Sequence, residues 1–269
     1  MAIAAAPLSS TPGPVPGDSY VQSFARGLEV IRSFSALSPR QTLSEVATRS
    51  GLSRAGARRI LLTLQTLGYV DSDGKHFALT PRILDLGFAY LSSMPIWNLA
   101  EPAMEALAGE VGESCSAAVL DGTDIVYVLR VSTHKIMSIT LGVGSRLPAY
   151  CTSMGRVLLA AAPEEQAMAC LQASRPEALT RHTLTDLDTL RLKIAQTRKQ
   201  GWCLVNQELE EGLVAMAAPI RDRTGRVVAA LNISGQANRT SAKVMQDTML
   251  QPLLQAAQAI SRLLAVQSN

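Results

Sequence analysis

The sequence predicts two domains joined by a helix: an N-terminal winged helix-turn-helix and a C-terminal α+β domain. Three observations lead there. Residues 42–79 read as short helix, glycine turn, longer helix and Asp-Gly hairpin, in that order. Residues 114–234 carry pairs of β-prone segments on either side of a helical middle. The charge is also lopsided. Residues 19–92 hold nine Lys/Arg against five acids, whereas 93–269 hold sixteen of each, so a net charge of +3 conceals a basic, polyanion-facing first quarter. The length of 269 residues suits two domains, and a 47% hydrophobic content excludes wholesale disorder. Aromatics make up 4%, so the cores are expected to be aliphatic.

Residues 1–18, rich in Ala, Pro, Gly and Ser, are expected to be a disordered tail. The winged domain then covers 19–80, a linker helix 81–97, and the second domain 98–269. Phe24, Leu28 and Ile31 fall at i, i+4, i+7, the spacing of an amphipathic helix that ends before Pro39. Thr42 with Glu45 forms a capping box for a short helix that buries Leu43, Val46 and Ala47 and stops at Gly51. Ser53 caps the next helix, which buries Ala57, Ile60, Leu61, Leu64 and Leu67 and turns Ala55, Arg59 and Leu62 outward with Arg58 on the flank. Asp73-Gly74 between 69–71 and 75–79 is a hairpin signal. Thr80-Pro81 restarts a helix to about residue 92, and another is expected over 99–110.

In the second domain, strands at 114–120 and 125–131 flank Asp121-Gly122, and a third is expected at 137–141. Helices follow at 154–162, 164–171 and 187–200, then strands at 202–205, 214–220 and 227–234. A C-terminal helix from 241 to 266 is expected to be interrupted at Pro252.

Cys115, Cys151, Cys170 and Cys203 have no CxxC spacing, and the three histidines stand near none of them. No metal site, disulfide framework or cofactor is expected, and the thiols read as reduced residues of a cytoplasmic protein. No 18-residue apolar run and no secretion signal is present.

The segments TLSEVATRSGLSRAGARRILLTLQTLGYV, SDGKHFALTPRILDLG, GSRLPAYCTSMGRVLLA and GWCLVNQELEEGLVAMAAPIRDRTGRVVAALNISG resemble, in order, the IclR family of bacterial transcriptional regulators over residues 20–266. LGFAYLSS and ESCSAAVLDGTDIVYVLRV are most similar to the branch controlling aromatic-acid catabolism: protocatechuate, 4-hydroxybenzoate and the β-ketoadipate pathway. The resemblance implies a winged helix that binds double-stranded operator DNA and a GAF-like domain that binds a small organic acid effector. It also implies a homodimer or homotetramer and no membrane partner.

On that reading the first turns of the 53–67 helix enter the major groove, with Arg54, Ala55, Arg58 and Arg59 as candidate DNA contacts. Lys75 and His76 on the wing, and Arg26 and Arg40, are candidate phosphate or minor-groove contacts. The resemblance places the effector against 151–155, the strand beginning at Leu213, and the last strand. Alternation on that last strand puts Asn232 and Ser234 on one face, where they can bond a carboxylate. Ser153 and adjacent N–H groups can hold a second anionic oxygen, with Met154 and Leu213 against the apolar body.

Family members that take glyoxylate or pyruvate often carry an acid at the position of Val205 and a cysteine at that of Ala215, which argues here for a larger, less polar ligand. Aromatic-branch members often carry Asp at the position of Asn206 and Arg at that of Val214, so that the resemblance makes Val205, Asn206 and Ala215 effector-site candidates as well. An enzyme of small acids is the rival reading, but GxSxG, P-loop, HExxH and GxGxxG motifs are all missing. A winged protein-interaction module is the other, and the three arginines of the 53–67 helix disfavour it.

Overall fold

The computed structural model describes Gly17 and residues 20–93, 96–133 and 141–266. The expected tail and most of the expected strand at 137–141 lie outside these residues; Leu141 itself is not in a strand. The chain divides into two compact units, one ending at Met94 and the other beginning at Pro95.

In the first unit, α1 (Gln22–Arg32), α2 (Leu43–Arg49) and α3 (Arg54–Thr66) pack around Val30, Val46, Ala57, Leu61, Leu64 and Val70. Both caps form. Thr42 Oγ1 accepts from Glu45 N while Glu45 Oε2 accepts from Thr42 N at 2.7 Å, and Ser53 Oγ accepts from Gly56 N at 3.1 Å. Gly51 makes the turn with φ +66°, a conformation costly for a residue with a Cβ. The wing, β2 (Val70–Ser72) and β3 (His76–Leu79), gains a third strand that the sequence did not reveal. This is β1 (Arg40–Thr42), which pairs antiparallel with β3 through Gln41 and Phe77. The Gln41 side chain is buried and donates to Ser33 O at 3.0 Å.

The helix expected over 81–97 is not continuous. A 3-10 turn, Pro81–Ile83, leads into α4 (Leu84–Ser92), and a separate helix, α5 (Ile96–Val111), begins three residues earlier than expected. Ser93, in a turn, stands outside both helices.

The second unit is the expected α+β domain, its strands joined in one six-stranded antiparallel sheet. Its strands are β4 (Ser114–Asp121), β5 (Asp124–Val131), β6 (Arg146–Pro148), β7 (Cys203–Asn206), β8 (Leu213–Arg221) and β9 (Val227–Gln236), in the order β6-β5-β4-β9-β8-β7. Alternation divides the sheet. Val214, Met216, Leu231 and Ile233 are buried on the side of α5 and α9 (Ala242–Val266). Ala118, Ala217, Ala230, Cys203 and Val205 face the cluster built around α6 (Ser153–Ala161), α7 (Glu164–Ser174) and α8 (Leu187–Gln200). The expected break at Pro252 is absent, and α9 runs through it. Burial of Met245, Leu253, Ala257 and Ile260 on both sides of the proline offsets the ~3 kcal/mol that an interior proline costs a helix.

Candidate functional site

The candidate basic residues of the first unit fall into three groups. Arg54 and Arg58, one helical turn apart on α3, share a groove with Thr42, Ser44, Ser72 and Lys75, so the recognition helix and the wing form one concave basic surface. Arg59 is exposed on the α1 side, where it lines a depression with Arg26. Ala55 is exposed at the start of α3. Among the described residues, no carboxylate pairs with Arg26, Arg54, Arg58, Arg59 or Lys75.

Arg40 and His76 are differently placed. Arg40 NH2 bonds Asp73 Oδ2 at 2.7 Å, and His76, half-buried, turns Nδ1 toward the same oxygen at 3.4 Å. The N–H groups of His76 and Lys75 hold the Asp73 carboxyl well below the usual carboxylate range. These two candidates are tied into the wing turn, and Arg54, Arg58 and Lys75 are, among the described residues, the unpaired cations of the groove between α3 and the wing.

In the second unit a small cavity lies between the α6 side of the sheet and the start of α6. Its floor is Val205, Ala215, Asn232 and Ser234, held together by the β7-β8-β9 register Val205↔Ala215↔Ser234. Leu213, Ser153 and Met154 complete the residues expected there, while Tyr127, Leu141, Cys151, Thr152 and Leu209 also line it.

Asn206 does not belong. One residue beyond Val205, it is exposed on the opposite side of β7, paired with the buried Val214. The two positions where this chain departs from the aromatic-branch pattern thus lie outside the cavity.

The polar groups of the cavity are few and specific. Thr152 caps α6, accepting from Gly155 N at 3.2 Å and donating to Pro148 O at 3.0 Å. Among the described residues, the N–H groups of Ser153 and Met154 meet no acceptor, so the positive end of α6 opens into the cavity. Asn232 is 4% exposed, and its Oδ1 is buried without a partner. Burial pushes the Tyr127 phenol and the Cys151 thiol up to about 12, so both remain protonated and Cys151 is no nucleophile. Among the described residues, no three His, Cys, Asp or Glu converge.

An IclR helix-turn-helix domain matches residues 23–74, and the bacterial transcriptional regulator IclR C-terminal domain matches residues 88–262. The chain belongs to the IclR family. Its IclR relatives include the Pca regulon regulatory protein of Pseudomonas putida, 43% identical over 239 residues, covering 88% of this chain and 82% of that one. A transcriptional regulator of Rhodococcus sp. RHA1 superposes with a TM-score of 0.82 at 48% identity over 91% of this chain and 98% of that one. An IclR homologue of Microbacterium hydrocarbonoxydans, solved with 4-hydroxybenzoate, superposes with a TM-score of 0.77 at 25% identity over 89% and 98%. These IclR proteins are regulators, and none of the matched families is an enzyme family. Among the described residues, no helix is long and apolar enough to cross a membrane.

Proposed function

We propose that this IclR regulator, acting in the cytoplasm, binds operator DNA through Arg54, Arg58 and Lys75 and binds a hydroxylated aromatic monoacid in the α6 cavity. The observation that carries the ligand class is the pairing of two complementary polar positions inside apolar walls. Free N–H groups at the start of α6, with Ser153 Oγ, suit a carboxylate. The unpartnered Asn232 Oδ1, beside Ser234, suits a hydroxyl donor. Leu141, Met154, Val205, Leu209 and Leu213 suit a ring between them. The 4-hydroxybenzoate held by the Microbacterium relative and the Pca regulon of the Pseudomonas one support this class.

The assembly proposed is a homodimer or homotetramer. Val21, Phe24 and Leu28 beside or on α1, and Leu84, Phe88 and Tyr90 on α4, are exposed apolar side chains that a second copy would cover. Effector binding then alters the spacing of the paired winged helices through residues 81–97.

Thermal denaturation of the full chain with 4-hydroxybenzoate, benzoate and aliphatic acids tests the ligand class, since a bound ligand raises stability by mass action. The expected result is stabilisation by 4-hydroxybenzoate above benzoate and none by aliphatic acids. Asn232→Leu should weaken 4-hydroxybenzoate by about 2- to 12-fold, the worth of one net hydrogen bond of ~0.5–1.5 kcal/mol, and leave benzoate unchanged. Equal losses for both acids would remove Asn232 from the hydroxyl subsite.

A further inference from the structure

We propose that the buried Arg156–Glu208 ion pair is a positioning pair that holds residues 207–213 over the effector cavity and so sets effector affinity; this rests on the cavity being the effector site. The pair lies outside the cavity lining, in a neighbouring depression, and joins the two segments whose other residues form facing walls of the cavity. Ser153 and Met154 in the first turn of α6 line the cavity, and Arg156 stands in the turn above them. Glu208 stands beside Leu209, which lines the facing wall together with Leu213.

The bond is bidentate, NH1 to Oε1 at 2.7 Å and NH2 to Oε2 at 2.6 Å, with the two side chains 2% and 9% exposed. Arg156 Nε donates to Tyr150 O at 2.9 Å, so the guanidinium is fixed at both edges. Glu208 Oε2 also accepts from Leu184 N at 3.1 Å, and Glu208 O accepts from Thr183 Oγ1 at 2.6 Å.

The segment so anchored is a closed loop. Gln207 N donates to Leu213 O at 2.7 Å, Gln207 Oε1 accepts from Gly212 N at 2.9 Å, and Gln207 holds φ +60°, an uncommon conformation for a residue with a Cβ. Stability alone does not call for charge here. An apolar pair of similar volume in a buried site is commonly as stable or more so. What the fork supplies is direction, one fixed relation between α6 and the loop carrying Leu209 and Leu213.

The test uses the full chain with R156M/E208L, which removes both charges together. Three quantities are measured: the melting temperature of the ligand-free protein, amide hydrogen exchange, and 4-hydroxybenzoate affinity by calorimetry. The expected result is a folded protein whose exchange at 207–213 is faster while that of 227–236 is unchanged, and whose affinity falls tenfold or more. R156K keeps the charge, breaks the fork and moves both readouts in the same direction by a smaller factor, which preserves the test should the double variant not fold. Unchanged exchange at 207–213, or an affinity within twofold of the parent chain in a folded variant, would overturn the positioning role. A parent chain that binds no aromatic acid would instead sink the ligand reading, and exchange at 207–213 in the ligand-free variants would still judge the anchor.

Discussion

Replacing Arg54 and Arg58 together with alanine is expected to lower operator affinity by about a hundredfold or more and to flatten its dependence on salt. The two guanidinium groups stand on the exposed flank of α3 that faces the wing, and among the described residues neither is neutralised by a carboxylate. A bidentate arginine contact to guanine contributes ~1–3 kcal/mol of discrimination, and each phosphate contact adds close to one unit of salt slope. Loss of two therefore changes both the affinity and the slope. The domain should remain folded, because α3 buries Ala57, Leu61 and Leu64 and is capped by Ser53, none of which is touched. Fluorescence anisotropy on the operator at several salt concentrations measures both effects. Equal affinity and equal slope would show that this flank of α3 does not meet DNA.

Gly155→Ala is expected to be the most damaging single methyl group in the second unit. Gly155 lies in the first turn of α6 with its Cα against the Ala149 backbone, and a Cβ there would overlap the carbonyl of Ala149. The obstacle is main chain, so no side-chain rotation relieves it. Overpacking of a core costs ~1–3 kcal/mol when side chains can adjust, and a backbone clash exceeds the upper end of that range. The alternative to unfolding is displacement of the α6 start, which carries the free N–H groups of Ser153 and Met154. Either outcome abolishes the thermal shift with 4-hydroxybenzoate. Scanning calorimetry with and without the acid separates a lowered transition from a folded but unresponsive one; a variant that melts and responds like the parent chain would contradict the packing described.

The winged unit was legible in the sequence because local chemistry alone determines it. Thr42 and Ser53 announce helix starts, Gly51 the turn, and Asp73-Gly74 the hairpin, each within a few residues. β1 was not legible. Arg40-Gln41-Thr42 has little β-propensity and becomes a strand only by pairing with β3, more than thirty residues on. In the second unit, alternation along β9 separated Asn232 and Ser234 from Leu231 and Ile233. Asn206 came from the family resemblance and not from alternation, and its place on the opposite face of β7 takes it out of the cavity. Tyr127 escaped because a bulge between Ala117 and Ala118 shifts the β4-β5 register just where it enters the floor. Arg156 and Glu208 stand 52 residues apart and no period relates them, so only the folded chain reveals the pair.

On the proposed reading, one chain couples an aromatic acid in the α6 cavity to operator binding by the winged helices. Titration of the full-length protein onto its operator, in the presence and absence of saturating 4-hydroxybenzoate at fixed salt, tests it most directly. An allosteric coupling of ~1–3 kcal/mol predicts a change in operator affinity of about 5- to 150-fold. In Asn232→Leu the acid concentration that produces half of this change should rise by the same factor, about 2- to 12-fold. Operator affinity that stays the same with the acid bound, under conditions where the thermal shift shows that it is bound, would contradict the account.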